Sequence, residues 1–348
     1  MRAILRSRLR RALVGAIAAI VVTGLVACGT DDNTESGGQD ELTIGIGGQP
    51  LLVYLPTTLA QQLGYYADEG LTVKIEDLQG GSKALKALQG GSVDVVSGYY
   101  DHTIQMQALR RDVKAFVNIL RYPSLVLAVS PKARRKITSI KDLKGANVGV
   151  TAPGSSTDFF LKFLLVKNGM KADDAVVQGI GGGSTAVAAM ETGKVDAAVM
   201  IDPAFSVVEK RAGTVQILSD TRTAAGVQQD FGVSTYPASV LYSTEEWVTK
   251  NPETARKLAR AILRTLEWMR QHSATEIAAK MPEEFASGDV AVYQQSIEKA
   301  LPAFSTDGKI RADGADAVYN VLKQFDPEVA AAKIVVAKSY TNDYVSVP

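Results

Sequence analysis

A chain of 348 residues, 46% hydrophobic and 22% charged, is long enough for two domains with substantial cores and too evenly mixed for a disordered or fibrous protein. The formal net charge is +1, but five arginines fall within the first eleven residues; without them 33 basic residues face 37 acidic ones, about −4, which argues against a nucleic-acid partner. Cys28 is the single cysteine, so no internal disulfide supports the fold.

Arg2, Arg6, Arg8, Arg10 and Arg11 precede an apolar run over residues 12–27, short for a bilayer span and suited to a secretory leader. Leu25-Val26-Ala27-Cys28 resembles the bacterial lipobox, which implies cleavage before Cys28 and diacylglycerol on its sulfur. Residues 1–27 are therefore expected to be a signal peptide, and residues 28–40 a lipidated cysteine with a flexible tether. That tether has no apolar residue from Gly29 to Asp40 and a mean reach on the order of 20 Å. The expectation is an exported protein, sent by general secretion rather than the twin-arginine route and held at the membrane by its acyl chains.

Beyond the tether the chain repeats itself. Superposing Asp94 on Asp196, 102 positions on, pairs Gly91 with Gly193, Val93 with Val195 and Gly80-Gly81-Ser82 with Gly182-Gly183-Ser184. Each copy reads as strand, Gly-Gly-Ser turn, short helix, Gly-X-Val-Asp turn and buried strand, with Ser82 and Ser184 expected to cap their helices. Thr43-Ile44-Gly45-Ile46 before the first copy parallels Asn147-Val148-Gly149-Val150 before the second. Two equivalent α/β lobes follow, expected at 41–128 and 129–232, with 233–348 returning to the first lobe. Residues 125–129 are the expected first crossing between lobes, and the stretch from Gly232 to Tyr242 the return.

Gly64-Tyr65-Tyr66, Glu69-Gly70-Leu71, Leu88-Gln89-Gly90-Gly91-Ser92-Val93-Asp94-Val95, Ile140-Lys141-Asp142-Leu143-Lys144-Gly145 and Gly193-Lys194-Val195-Asp196, with Asp202-Pro203 where many relatives have Glu-Pro, form an ordered set. It resembles the nitrate/sulfonate/taurine (SsuA-like) and NMT1/THI5-like family of solute-binding proteins, over about residue 42 to the 240s. The resemblance implies the type II periplasmic-binding-protein fold, two α/β lobes joined by two crossing strands that close on a ligand. It also implies an ABC permease and ATPase as partners, a monomeric receptor, and no cofactor or catalysis.

Ligands of open α/β sheets lie beyond the carboxyl ends of the strands. That rule selects Gln49, Ser82, Tyr99, Tyr100, Asp101 and His102 in the first lobe, and Gly154, Ser155, Ser156, Thr157 and Asp202 in the second, with Ser124 and Tyr236 at the crossings. Gly154-Ser155-Ser156-Thr157 opens a helix, where free N–H groups and hydroxyls suit an oxyanion or serve simply as caps. Tyr99-Tyr100-Asp101-His102 suits a ring bearing hydrogen-bond donors. Asp101 and Asp202 would repel a plain anion, with Arg121 as the candidate counter-cation, so the solute is expected to be sulfonate/taurine-like or an amino-substituted aromatic such as a pyrimidine. An enzyme of the same fold acting on a small aromatic or pyrimidine metabolite is the rival reading. Against it, THI5-type synthases use a cysteine-rich motif, and this chain has no cysteine after Cys28, no metal-spaced His/Cys set and no nucleophile elbow.

Overall fold

The computed structural model describes residues 40–345; the expected leader, Cys28 and the tether to residue 39 lie outside the described residues. The strands are β1 (Asp40–Ile46), β2 (Leu71–Asp77), β3 (Val95–Tyr99), β4 (Val113–Asn118), β5 (Val126–Val129), β6 (Asn147–Val150), β7 (Val176–Gly179), β8 (Ala197–Met200), β9 (Ile217–Asp220) and β10 (Ser239–Thr244). They form two sheets of the same design, ordered β2-β1-β3-β10-β4 and β7-β6-β8-β5-β9. In each, the first three strands run parallel, and the fourth is antiparallel to both neighbours. The crossing expected at 125–129 thus enters the second sheet as β5, and the return supplies β10 to the first.

The helices that bear on the argument are α1 (Gly81–Gln89), α2 (Asp101–Ala108), α3 (Ser156–Lys167), α4 (Ser184–Glu191), α5 (Ala204–Ala212), α6 (Pro252–Gln271), α7 (Val290–Ala300) and α8 (Ala312–Leu322). Helices cover the parallel strands, which is why β3 and β8 are buried along their whole length, the Ser97 hydroxyl pairing with Thr57 Oγ1 at 2.8 Å. α6 buries Ala255, Leu258, Ile262 and Leu266 in the core that includes the first sheet, and its outer face pairs Arg260 with Glu69 and Arg264 with Asp68. α7 serves both halves. Ile297 and Tyr293 belong to the main core, which draws on both sheets, whereas Val292 packs in a second cluster with Phe205 and Val208 of α5.

The repeated aspartates turn out to be anchors. Asp94 Oδ2 accepts the Thr43 N–H at 2.7 Å while the Asp94 N–H donates to the Thr43 carbonyl at 2.9 Å. Asp196 does the same to Asn147, at 2.9 and 2.8 Å. Each carboxylate therefore fixes the start of one parallel strand against its neighbour with a charge-assisted bond. The preceding Gly91 and Gly193 have φ of 72° and 68°, a left-handed backbone that a Cβ disfavours. The expected serine caps are not made. Gly80 and Gly183 occupy the N-cap positions, Ser82 lies inside its helix, and neither helix has a side-chain cap.

Candidate functional site

The carboxyl ends of β1, β3, β6 and β8 face one another across a closed cleft. Ser82, freed from capping, works across it. Its N–H donates to Ser155 Oγ at 2.9 Å and its hydroxyl to the Pro153 carbonyl at 3.0 Å. Ser156 Oγ donates to Asp101 Oδ1 at 2.7 Å, and the Leu52 N–H to the Asp202 carbonyl at 2.9 Å. The start of α3 thus already has its hydroxyls engaged. Asp158 also sits in its first turn, its Oδ2 accepting the Gly154 N–H at 2.8 Å and Lys162 Nζ at 2.9 Å. An oxyanion approaching that helix end would meet Asp101 and Asp158 together.

Beside this contact lies a narrow pocket of about 20 Å³, walled by Tyr99, Phe159, Phe160, Phe231 and Tyr236, with Asp101 and Ser156 as its polar groups. Tyr236 stacks on Phe231 at 4.3 Å between centroids, and Phe231 on Phe163 at 5.2 Å. Tyr99 is oriented by donating its hydroxyl to the Pro123 carbonyl at 2.7 Å and by edge contact with Tyr54. Burial raises the Asp101 pKa above its ordinary value, opposed by the neighbouring His102 and by hydrogen bonds from Ser156 and the backbone. Burial lowers the His102 pKa, with Asp101 and the Gly154 backbone pulling the other way. The His102 Nδ1 lies 3.2 Å from the Tyr242 hydroxyl, its ring meets Phe159 edge-on at 5.9 Å, and its Nε2 has no hydrogen-bond partner.

A second pocket, of about 20 Å³, holds Ser124, Asp202, Arg222 and Lys299 among apolar walls that include Leu52, Ile201 and Phe304. Asp202 is not free here. Its Oδ1 accepts the Ser206 N–H at 3.0 Å and hydroxyl at 2.7 Å, and its Oδ2 accepts Arg222 Nη1 at 3.1 Å. Arg222 also holds Asp220, Nη2 to Oδ2 at 2.6 Å. Ser124, at φ 55°, has a buried hydroxyl without a partner.

The structure therefore brings Ser82, Asp101, His102, Gly154, Ser155 and Ser156 to the cleft contact, Tyr99 and Tyr236 to the aromatic pocket, and Ser124 and Asp202 to the second pocket. Three expected residues stay apart. Tyr100 points away, its hydroxyl 2.5 Å from Ser339 Oγ and its ring edge-on to Tyr340. Thr157 pairs with Thr151 inside its own half, Oγ1 to Oγ1 at 2.9 Å, and Gln49 donates to Thr58 Oγ1 at 3.3 Å. Arg121 is not a counter-cation, because its guanidinium donates to the Pro302 carbonyl and lies over Tyr122. Phe159, Phe160, Phe231 and Arg222 were missed. The first two follow Asp158 directly, in the helix that Ser155 precedes, but on a helix an aromatic pair reads as core.

The model described as NMT1/THI5 like matches residues 53–275. A solved structure from Bordetella bronchiseptica RB50 is similar to this chain at 42% identity and a TM-score of 0.84, covering 88% of this chain and 96% of that one. The alkanesulfonate-binding protein SsuA from Xanthomonas axonopodis pv. citri, solved bound to MOPS, is 18% identical with a TM-score of 0.68, covering 87% and 98%, a likeness of fold. Among curated proteins, the riboflavin-binding protein RibY of Chloroflexus aurantiacus is 24% identical over 317 residues, 88% of this chain and 86% of its own. With two sheets of one topology exchanging strands β5 and β10, the chain has the type II periplasmic-binding-protein fold and belongs to the NMT1/THI5-like family.

Proposed function

We propose that this chain is the solute-binding component of an ABC importer, and that its solute is a small aromatic or heteroaromatic ring carrying amino-type donors. One observation carries the choice of solute. Asp101 is the cleft carboxylate that no lysine or arginine pairs with among the described residues, and it faces a pocket walled by five aromatic rings. A donor-bearing ring would stack on those rings and give Asp101 the partner that burial makes valuable. A sulfonate would instead meet Asp101 and Asp158 at a helix end whose hydroxyls are already used.

The reading is binding without turnover, by a monomer that presents its solute to a permease. It includes anchoring through lipid on Cys28 at the extracytoplasmic face, a reading that rests on the lipobox-like Leu25-Val26-Ala27-Cys28. A thermal-shift panel on the full-length chain tests it. Aminopyrimidines, taurine, alkylsulfonates and aromatic carboxylates are compared, and a solute at a hundred times its Kd adds about 2.7 kcal/mol of stability. The aminopyrimidine class is expected to stabilise and be recovered unchanged. A shift with sulfonates alone, or chemical conversion of the solute, overturns the reading.

A further inference from the structure

The Gly-Gly-Ser turn occurs once in each half, and its first glycine does the same thing in both. A Cβ built on Gly80 would lie 2.8 Å from Ala152 Cβ, across the cleft in the loop after β6. A Cβ built on Gly182, the equivalent position, would lie 2.7 Å from Leu51 Cδ1, across the cleft in the loop after β1. Carbon atoms that close overlap well inside their contact distance. Backbone conformation does not demand glycine at either place. Gly80 has φ of 165°, extended backbone open to any residue, and Gly182 is outside the left-handed region. The next glycine of the second copy, Gly183, has open space where its Cβ would be.

We propose that Gly80 and Gly182 are a matched pair of closure stops: their missing side chains let the two halves reach the closed state and so set the narrowest width the cleft adopts around a solute. The Ser82–Ser155, Ser82–Pro153 and Asp101–Ser156 hydrogen bonds form at that width and hold the cleft shut. A side chain at either stop disengages them together, because they span the same gap. The two stops differ in stiffness. Ala152 Cβ is fixed to its backbone, so Gly80→Ala is relieved only by separation. Leu51 Cδ1 ends a side chain, so Gly182→Ala can be absorbed by rotation, and Gly182→Val is the informative change.

The test needs no ligand, so its failure is distinct from failure of the aromatic-solute reading. Nitroxide labels at Lys86→Cys and Lys171→Cys, exposed positions on the two halves, are placed in the full-length chain carrying Cys28→Ser, which removes the single native cysteine. Double electron–electron resonance then reports the distance between halves. The ligand-free parent is expected to show mainly the closed distance. Gly80→Ala and Gly182→Val are expected to lower the closed population at least tenfold, Gly183→Ala to leave it unchanged, and Ala152→Gly to restore closure to Gly80→Ala. An open parent, an unshifted distribution in both folded variants, or an equal shift from Gly183→Ala overturns the proposal. If Gly80→Ala does not fold, Gly182→Val against Gly183→Ala decides.

Discussion

Replacing Arg222 with methionine separates a ligand-binding role for Asp202 from a structural one. Asp202 has a side chain only 7% exposed, and Arg222, at 17%, supplies its sole ion pair among the described residues. Breaking a buried pair by removing one partner costs about 3–5 kcal/mol. Two features reduce that here. The Ser206 N–H and hydroxyl still solvate Asp202, and Asp220, the other carboxylate held by Arg222, is 29% exposed and can turn to water. The expected loss is therefore about 2–3 kcal/mol, and with roughly 2 °C per kcal/mol for a chain of this size the melting temperature falls by about 4–6 °C. Calorimetry and urea unfolding measure it, and Asp202→Asn alone and combined with Arg222→Met completes a double-mutant cycle. A coupling of about 1 kcal/mol or more is expected for side chains in direct contact. A change below about 0.5 kcal/mol in Arg222→Met, or an Asp202→Asn variant of normal stability that no longer binds solute, refutes the structural assignment.

Three further outcomes follow from the same geometry. Asp101→Asn keeps an acceptor for Ser156 but removes the charge, so binding of a donor-bearing ring weakens at least tenfold while the fold is retained; intact binding by calorimetry would remove Asp101 from the site. The two buried titrating groups respond to acid in opposite directions. His102, lowered in the folded state, contributes stability present above its ordinary pKa of about 6.5 and lost as pH falls below that toward its folded value. Asp101, raised when folded, takes up its proton first in the native state and so favours folding as pH falls through its folded pKa toward its ordinary value. As pH falls from neutrality toward the ordinary carboxylate range, stability is thus expected to fall more steeply in Asp101→Asn than in the parent, and identical slopes would show that Asp101 gains no proton on folding. Finally, Gly91→Ala costs about 1–2 kcal/mol for its left-handed backbone alone, and Gly193→Ala more, because its Cβ would also lie 2.5 Å from the Lys132 carbonyl oxygen. Equal losses in thermal unfolding would contradict that difference.

What the sequence made legible was what the repeat encodes. The equivalence of Asp94 with Asp196, and of the Gly-Gly-Ser turns, announced two sheets of one design, since a turn and a buried strand are local features that residue type alone specifies. The cleft was located by the strand-end rule, because loops at those ends converge whatever their residues are. Side-chain direction at the strand tip was not legible. Tyr99 and Tyr100 are adjacent, yet the first faces the aromatic pocket and the second Ser339, a partner 239 positions away. The Arg222–Asp202 pair escaped for a similar reason, since β8 and β9 deliver its members from separate strand ends. The serines of the turns were misread because capping is the commonest local role of serine, and only the approach of the second half gives Ser82 and Ser155 each other as partners.

The most direct measurement is isothermal titration of the full-length chain with an aminopyrimidine and with taurine, in the parent and in Asp101→Asn. The account predicts saturable one-to-one binding of the ring by the parent, at least tenfold weaker in the variant, and no comparable binding of taurine. Tight taurine binding that Asp101→Asn leaves unchanged would contradict it, and would move the solute from the aromatic pocket to the start of α3.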